Sequence, residues 1–153
     1  MQVVDTAAAW EAHADSWLAW SDPAQRDGFW TDTWPTLRQM LPPPTGLTLD
    51  VGCGEGRGAR ELSALGYRVV GIDRSPTLVA AAAERGSTVV LGDAGRLPYA
   101  DGCASLVFAS MSLLDIDDLE AATNEIGRVL KPGGSLVAAI VHPAISAFEP
   151  SEL

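Results

Sequence analysis

A chain of 153 residues that is 47% hydrophobic is expected to fold as one domain around a substantial core. Ten Lys and Arg against twenty Asp and Glu leave a net charge of −10, which argues against nucleic-acid phosphates and anionic membrane surfaces as partners, because clustered cations meet both. Two cysteines and two histidines suit a reduced cytoplasmic protein better than a disulfide framework or a zinc site, so no metal is expected. The residues Met1 to Asp5 lack the basic start and apolar run of a signal peptide, and no run of about 20 apolar residues is present to span a bilayer.

All five tryptophans, Trp10, Trp17, Trp20, Trp30 and Trp34, precede the first strand signal. Trp10, Ala14, Trp17 and Trp20 are spaced to share one helix face, and a second helix is expected from Gly28-Phe29-Trp30 to the stop at Pro42-Pro43-Pro44. Residues 1–45 therefore read as a Trp-rich helical cap and 46–153 as the core domain.

The core opens with Leu47-Thr48-Leu49-Asp50-Val51-Gly52-Cys53-Gly54-Glu55-Gly56-Arg57-Gly58. An apolar run that ends in an acid and flows into alternating glycines predicts a buried strand turning tightly beneath a ligand, since glycine accepts positive φ and lets another molecule touch the backbone. Leu62 and Leu65 mark the buried face of the helix that follows, and Gly66 its stop. Counted from Gly52, the third glycine of a dinucleotide fingerprint falls on Arg57; counted from Gly54 it falls on Ala59 and leaves Gly52 without a role. No Gly-Lys-Ser or Gly-Lys-Thr follows, which excludes a phosphate-cradling loop. The pattern Asp-x-Gly-x-Gly-x-Gly resembles the first motif of class I S-adenosylmethionine-dependent methyltransferases, in which this loop faces the methionine end of the cofactor.

Later segments extend the resemblance. Tyr67 to Asp73 is a second strand ending in an acid about 20 residues past the glycines, where such folds set a carboxylate on a ribose diol. An ionised acid only accepts hydrogen bonds and so matches two hydroxyl donors. Ser75 then caps a helix that starts at Pro76 and runs through Ala83. Ser87 to Leu91 is the third strand, Leu97 to Gly102 a loop of the same family type, and Leu106 to Ser110 a fourth strand, apolar as one covered on both faces should be. Asp117 and Asp118 start a helix whose buried stripe is Leu119, Ala122, Ile126, Val129 and Leu130. Arg128-Val129-Leu130-Lys131-Pro132-Gly133-Gly134 is similar to the string that turns this helix into the fifth strand in the ubiquinone-biosynthesis-like branch. The strand is expected over Ser135 to Val141 and the turn is expected to be structural.

The fold implied is α/β: a Rossmann-like doubly wound parallel sheet of five strands with flanking helices, missing the two C-terminal antiparallel strands that the family adds. The resemblance implies S-adenosylmethionine as cofactor, held by Asp50, Gly52, Cys53, Gly54, Asp73, Arg74, Asp93, Ala94 and Ser110, with Asp93 and the N–H of Ala94 on the adenine. It implies methyl transfer to a small-molecule acceptor, with the Trp-rich helices either simply packed on the sheet or serving as a lid, Trp17 or Trp30 facing the pocket. His142 is the first candidate for a base, against a reading in which it only hydrogen-bonds before a proline turn, and Asp115 is the second. Two departures stand out: Cys103-Ala104-Ser105 replaces Ser-Phe-Asp, and Leu114-Asp115 replaces a His pair. A fragment lacking its last strands would leave the apolar fifth strand at a sheet edge, so edge-to-edge homodimers are expected. The rival readings are a catalytically silent cofactor-binding or dimerisation module and an NAD-dependent oxidoreductase.

Overall fold

A strand buried on both faces must be covered on both faces, and the two most fully buried strands, Leu47–Val51 and Ala104–Ser110, lie side by side inside the sheet. The computed structural model describes residues 5–21 and 27–141. In chain order α1 (Thr6–Trp20), a π-type turn (Phe29–Thr33) and α2 (Trp34–Met40) precede β1 (Leu47–Val51), α3 (Arg57–Ala64), β2 (Arg68–Asp73), α4 (Pro76–Glu84), β3 (Val89–Leu91), β4 (Ala104–Ser110), α5 (Leu119–Val129) and β5 (Leu130–Ala139). The five strands are parallel in the order β3-β2-β1-β4-β5. The strand order therefore reverses between β1 and β4, and the crevice outside their C-terminal ends is where such sheets bind ligands.

Alternation along β4 sends its side chains to two separate cores. Val107 joins Leu49, Val51 and Ile72 beneath Ala122, Ile126 and Val129 of α5. Leu106 and Phe108 join Val69 and Val137 beneath Trp34 and Leu37 of α2 and Ala59 and Leu62 of α3. Ala104, standing where the family pattern has an aromatic, is fully buried in the first core and starts β4.

The helix starts follow the capping chemistry. The Ser75 hydroxyl accepts from the Leu78 N–H at 3.1 Å and Pro76 opens α4, which extends one residue beyond Ala83 to Glu84. Asp118 accepts from the Ala121 N–H at 2.9 Å. Asp117 does not cap α5; its Oδ1 accepts from the N–H and hydroxyl of Thr6 at 3.2 and 2.8 Å, tying the start of α1 to the core. Leu119, expected in the buried stripe, is exposed because it occupies the first residue of α5, short of the sheet.

Two elements differ from expectation. The second N-terminal helix begins with a π-type turn, which lets Phe29 and Trp34 both reach the core. The β5 strand starts at Leu130, directly after α5, and ends at Ala139, so Lys131-Pro132-Gly133-Gly134 runs inside the strand as an irregular stretch with a register shift against β4 and Gly133 at φ +77°. The preceding Arg128 explains the string. It donates to both Glu125 carboxylate oxygens at 2.7 Å, to Asp101 Oδ1 at 2.7 Å, and to the carbonyls of Tyr99 and Leu97 at 2.8 and 3.1 Å, pinning α5 to the loop before β4.

Candidate functional site

The N–H groups of Gly52 and Cys53 both donate to the Ile72 carbonyl, at 2.8 and 3.1 Å, so β1 turns sharply against β2 as soon as it ends. Gly52 and Gly54 sit at φ +70° and +54°, a region that costs an L-residue roughly 1–2 kcal/mol. A Cβ on Gly52 would lie 2.3 Å from the Cβ of Ser112, whose hydroxyl donates to the Val51 carbonyl at 2.6 Å. That glycine is needed for the tip of β4 to close on the loop. A Cβ on Gly54 would meet nothing nearer than Trp17 Nε1 at 3.9 Å, so this face of the loop backbone is open to the cleft.

These turns floor a cleft of about 970 Å³, counted out to its open mouth. Its walls are Gly52, Cys53 and Gly54 from the loop, Asp73 and Arg74 after β2, Gly92 and Ala94 after β3, and Ser110, Met111 and Ser112 after β4. Trp10, Trp17 and Phe29 roof it. Of the residues that the resemblance implies, Asp50, Gly52, Cys53, Gly54, Asp73, Arg74, Ala94 and Ser110 come together on this one surface. Asp93 is not on it. Its Oδ1 accepts from the Gly95 N–H at 2.8 Å and its Oδ2 lies 3.8 Å from Arg74 Nε, so the turn after β3 holds its exposed carboxylate beside the cleft. Asp115 lines the far side, and His142 lies outside the described residues. Trp17 and Trp10 face the cleft, whereas the Trp30 ring packs on Phe29 at 4.9 Å.

A family described as "Methyltransferase domain" matches residues 49–138, the strands and loops that build this cleft. The chain belongs to that family. It is similar to a demethylmenaquinone methyltransferase of Corynebacterium kroppenstedtii, 36% identical over 114 residues that cover 74% of this chain and 50% of that one. Among solved structures it is similar to an S-adenosylmethionine-dependent methyltransferase from Mesorhizobium loti, at 31% identity and TM-score 0.66 over 72% of this chain and 53% of that one. A second, from Thermotoga maritima, matches at 26% identity and TM-score 0.78 over 89% of this chain and 62% of that one. The chain spans about half the length of the curated relatives it matches. The family expected from the glycine loop is thus the one found, and the five-stranded Rossmann-like sheet is its fold.

The methyltransferase domain concentrates acid around its loop. Asp50 is 2% exposed, and its Oδ2 has no hydrogen-bond partner among the described residues. Burial above all, then the neighbouring Asp73 and Glu55 carboxylates, push its pKa up to about 7, against the pull of the Ala59 N–H. Glu55 is also buried, and burial raises it although Arg57, Arg60 and Arg85 oppose the shift. Burial likewise pushes the Cys53 thiol up, which disfavours its thiolate. The Asp73 carboxylate accepts from the Gly54 N–H at 2.8 Å and the Ser75 N–H at 3.0 Å. It fixes the loop to the tip of β2, and each of its oxygens retains accepting capacity for a hydroxyl.

Those features match the cofactor that the resemblance implies. A buried unpartnered carboxylate oxygen suits an ammonium, the bare Gly54 face admits a chain against the backbone, and Asp73 suits a ribose diol. Among the described residues no cluster of three His, Cys, Asp or Glu side chains could hold a metal ion.

Two residues that the spacing did not single out join the N-terminal helices to the cleft wall. Arg57 enters α3 directly from the loop and pairs with Asp27 at 2.6 Å, its guanidinium 5.0 Å from the Trp17 ring centre and 4.3 Å from that of Phe29. Glu11 of α1 accepts from the hydroxyls of Ser75 and Thr77 at 2.5 and 2.6 Å, which lowers its pKa. Both contacts tie the N-terminal helices to the cleft. The one available sign was Arg57 itself, which broke the dinucleotide spacing.

Proposed function

We propose that this domain binds S-adenosylmethionine between the glycine loop and the tips of β2 and β3 and moves its methyl group to a small-molecule acceptor beneath α1. The observation that carries the reading is the hydrogen bond from the Gly54 N–H to Asp73, which joins a carboxylate of the chemistry that suits a diol to a bare backbone face in one cleft. The cofactor would supply an electrophilic sulfonium methyl; the protein's own work is to orient, exclude water and remove a proton. Trp10, Trp17 and Phe29 supply apolar surface on the cleft for an acceptor to pack against, which supports reading the cap of residues 1–45 as a lid on the core of 46–153. Demethylmenaquinone, named for the relatives, is the first acceptor to assay. His142 lies outside the described residues, and Asp115, which lines the cleft, is the other candidate to take a proton; burial raises its pKa and a hydrogen bond from the Trp10 side chain opposes the shift. No helix among the described residues is long and apolar enough to cross a membrane, and we infer that the domain works in the cytoplasm.

Replacing Asp73 with alanine removes a charge-assisted acceptor and is expected to weaken binding of S-adenosylhomocysteine, the demethylated product, by about tenfold to a hundredfold. Calorimetry reads this directly, and an unchanged affinity removes Asp73 from the ribose role.

We also infer that β5 pairs edge to edge with a second copy. It is the outermost strand among those described, and Leu136 and Ile140 are 44% and 56% exposed. Sedimentation at micromolar concentration should give a dimer, and a clean monomer of 16.0 kDa would contradict the pairing.

A further inference from the structure

We propose that Glu11 is the latch of the roof: its hydrogen bonds to the start of α4 hold α1 over the cleft and set how fast the ligand leaves. The inference rests on the S-adenosylmethionine reading above and adds to it the control of ligand exchange. A helix in a small domain is ordinarily held by an apolar face packed on the core. Of the fifteen residues of α1, Ala14 alone is buried, so such packing contributes little here. The helix nevertheless lies across the cleft, with Trp10 lining it and Trp17 Nε1 3.9 Å from where a Gly54 Cβ would stand. A ligand on the Gly54 face is therefore roofed by α1 and leaves when α1 lifts.

Side-chain bonds supply the attachment that packing does not. Both oxygens of the Glu11 carboxylate are engaged. Its Oε2 accepts from the Ser75 hydroxyl at 2.5 Å and the Thr77 N–H at 3.3 Å, and its Oε1 accepts from the Thr77 hydroxyl at 2.6 Å. The two hydroxyls hold its pKa below the usual carboxylate value, so the acid is ionised and the bonds are charge-assisted. Thr6 on Asp117 and the Trp17 ring beside Arg57 add two further ties. Only the Glu11 tie continues into the glycine loop. The Ser75 N–H donates to Asp73 Oδ1, and Asp73 Oδ2 accepts from the Gly54 N–H, so a line of hydrogen bonds and one residue's backbone joins roof to loop. A diol bound at Asp73 and a seated α1 favour the same arrangement, and by linkage each stabilises the other.

The test reads the dissociation rate of S-adenosylhomocysteine from the immobilised chain by surface plasmon resonance. Glu11→Ala is expected to release it about tenfold faster than the wild type. Thr77→Val, which removes one latch hydroxyl and leaves the Ser75 cap in place, should release it about threefold faster. The double variant should be no faster than Glu11→Ala, because both changes break the same contact. Hydrogen exchange gives a second readout. Ligand should slow the amides of residues 6–20 in the wild type, and Glu11→Ala should speed them in the ligand-free chain while those of β1 and β4 stay unchanged. The inference is overturned if Glu11→Ala releases ligand at the wild-type rate, if the two single effects multiply in the double variant, or if β1 and β4 loosen along with α1. It is also overturned if ligand leaves exchange of residues 6–20 in the wild type unchanged, a result that depends on no variant folding. A wild-type chain that binds no S-adenosylhomocysteine removes the S-adenosylmethionine reading, and this inference with it.

Discussion

Gly54→Val folds and loses cofactor affinity by at least about a hundredfold, whereas Gly52→Val loses both affinity and much of its stability; this contrast is the largest effect expected of any single change in the loop. Both positions have positive φ, so both variants bear a backbone penalty of roughly 1–2 kcal/mol. At Gly54 the added side chain enters open space in front of Trp17 Nε1, 3.9 Å away, and collides with ligand rather than with protein. At Gly52 it enters the Ser112 side chain at 2.3 Å, displacing the hydroxyl that donates to Val51 and unseating the tip of β4, for a further cost of about 1–3 kcal/mol. Thermal melts and calorimetry with S-adenosylhomocysteine separate the two. Normal binding by Gly54→Val would show that the ligand does not approach that face.

The second large effect is on pH dependence. The Asp50 carboxyl has its pKa raised from 3.8 to about 7 in the folded chain. Between those values the folded state keeps a proton that the unfolded chain has released, so the unfolding free energy falls as pH rises through the window and levels off above it. The loss attributable to this group is at most about 4 kcal/mol. Asparagine has the same shape and cannot ionise. Asp50→Asn should therefore gain stability relative to the wild type on going from pH 5 to pH 8, while its affinity for S-adenosylhomocysteine falls. Urea denaturation at the two pH values reads the difference between the chains, which removes the contribution of every other titrating group. A variant that trails the wild type by the same margin at both would show that Asp50 titrates as an ordinary carboxylate.

What could be read from the residues was local. The strand from Leu47, the left-handed glycines after it, the cap at Ser75 and the two-sided burial of β4 depend on neighbours close in sequence, and each stands as expected. The start of β5 did not, because Lys131 to Gly134 reads as a turn until the pairing of β5 with β4 draws it into the sheet. Leu119 fits a buried stripe by spacing, yet helix spacing carries no information on how far the helix overhangs its sheet. For Asp93 the resemblance implies the adenine contact, and the setting of its exposed carboxylate beside the cleft, bonded to the Gly95 N–H and 3.8 Å from Arg74, depends on the turn after β3. The setting of Arg57 was illegible for a plainer reason: Asp27 and Trp17 reach it from 30 and 40 positions earlier in the chain, a contact that no local pattern encodes.

The most direct test of the central claim is a calorimetric titration of the unmodified chain with S-adenosylhomocysteine and, separately, with NAD, the ligand of the related strand, glycine loop and helix arrangement. The expected result is saturable binding of one S-adenosylhomocysteine per chain at about micromolar affinity or tighter, with no heat from NAD. Saturable binding of NAD with none of S-adenosylhomocysteine would contradict the claim that this cleft is built for a methyl donor.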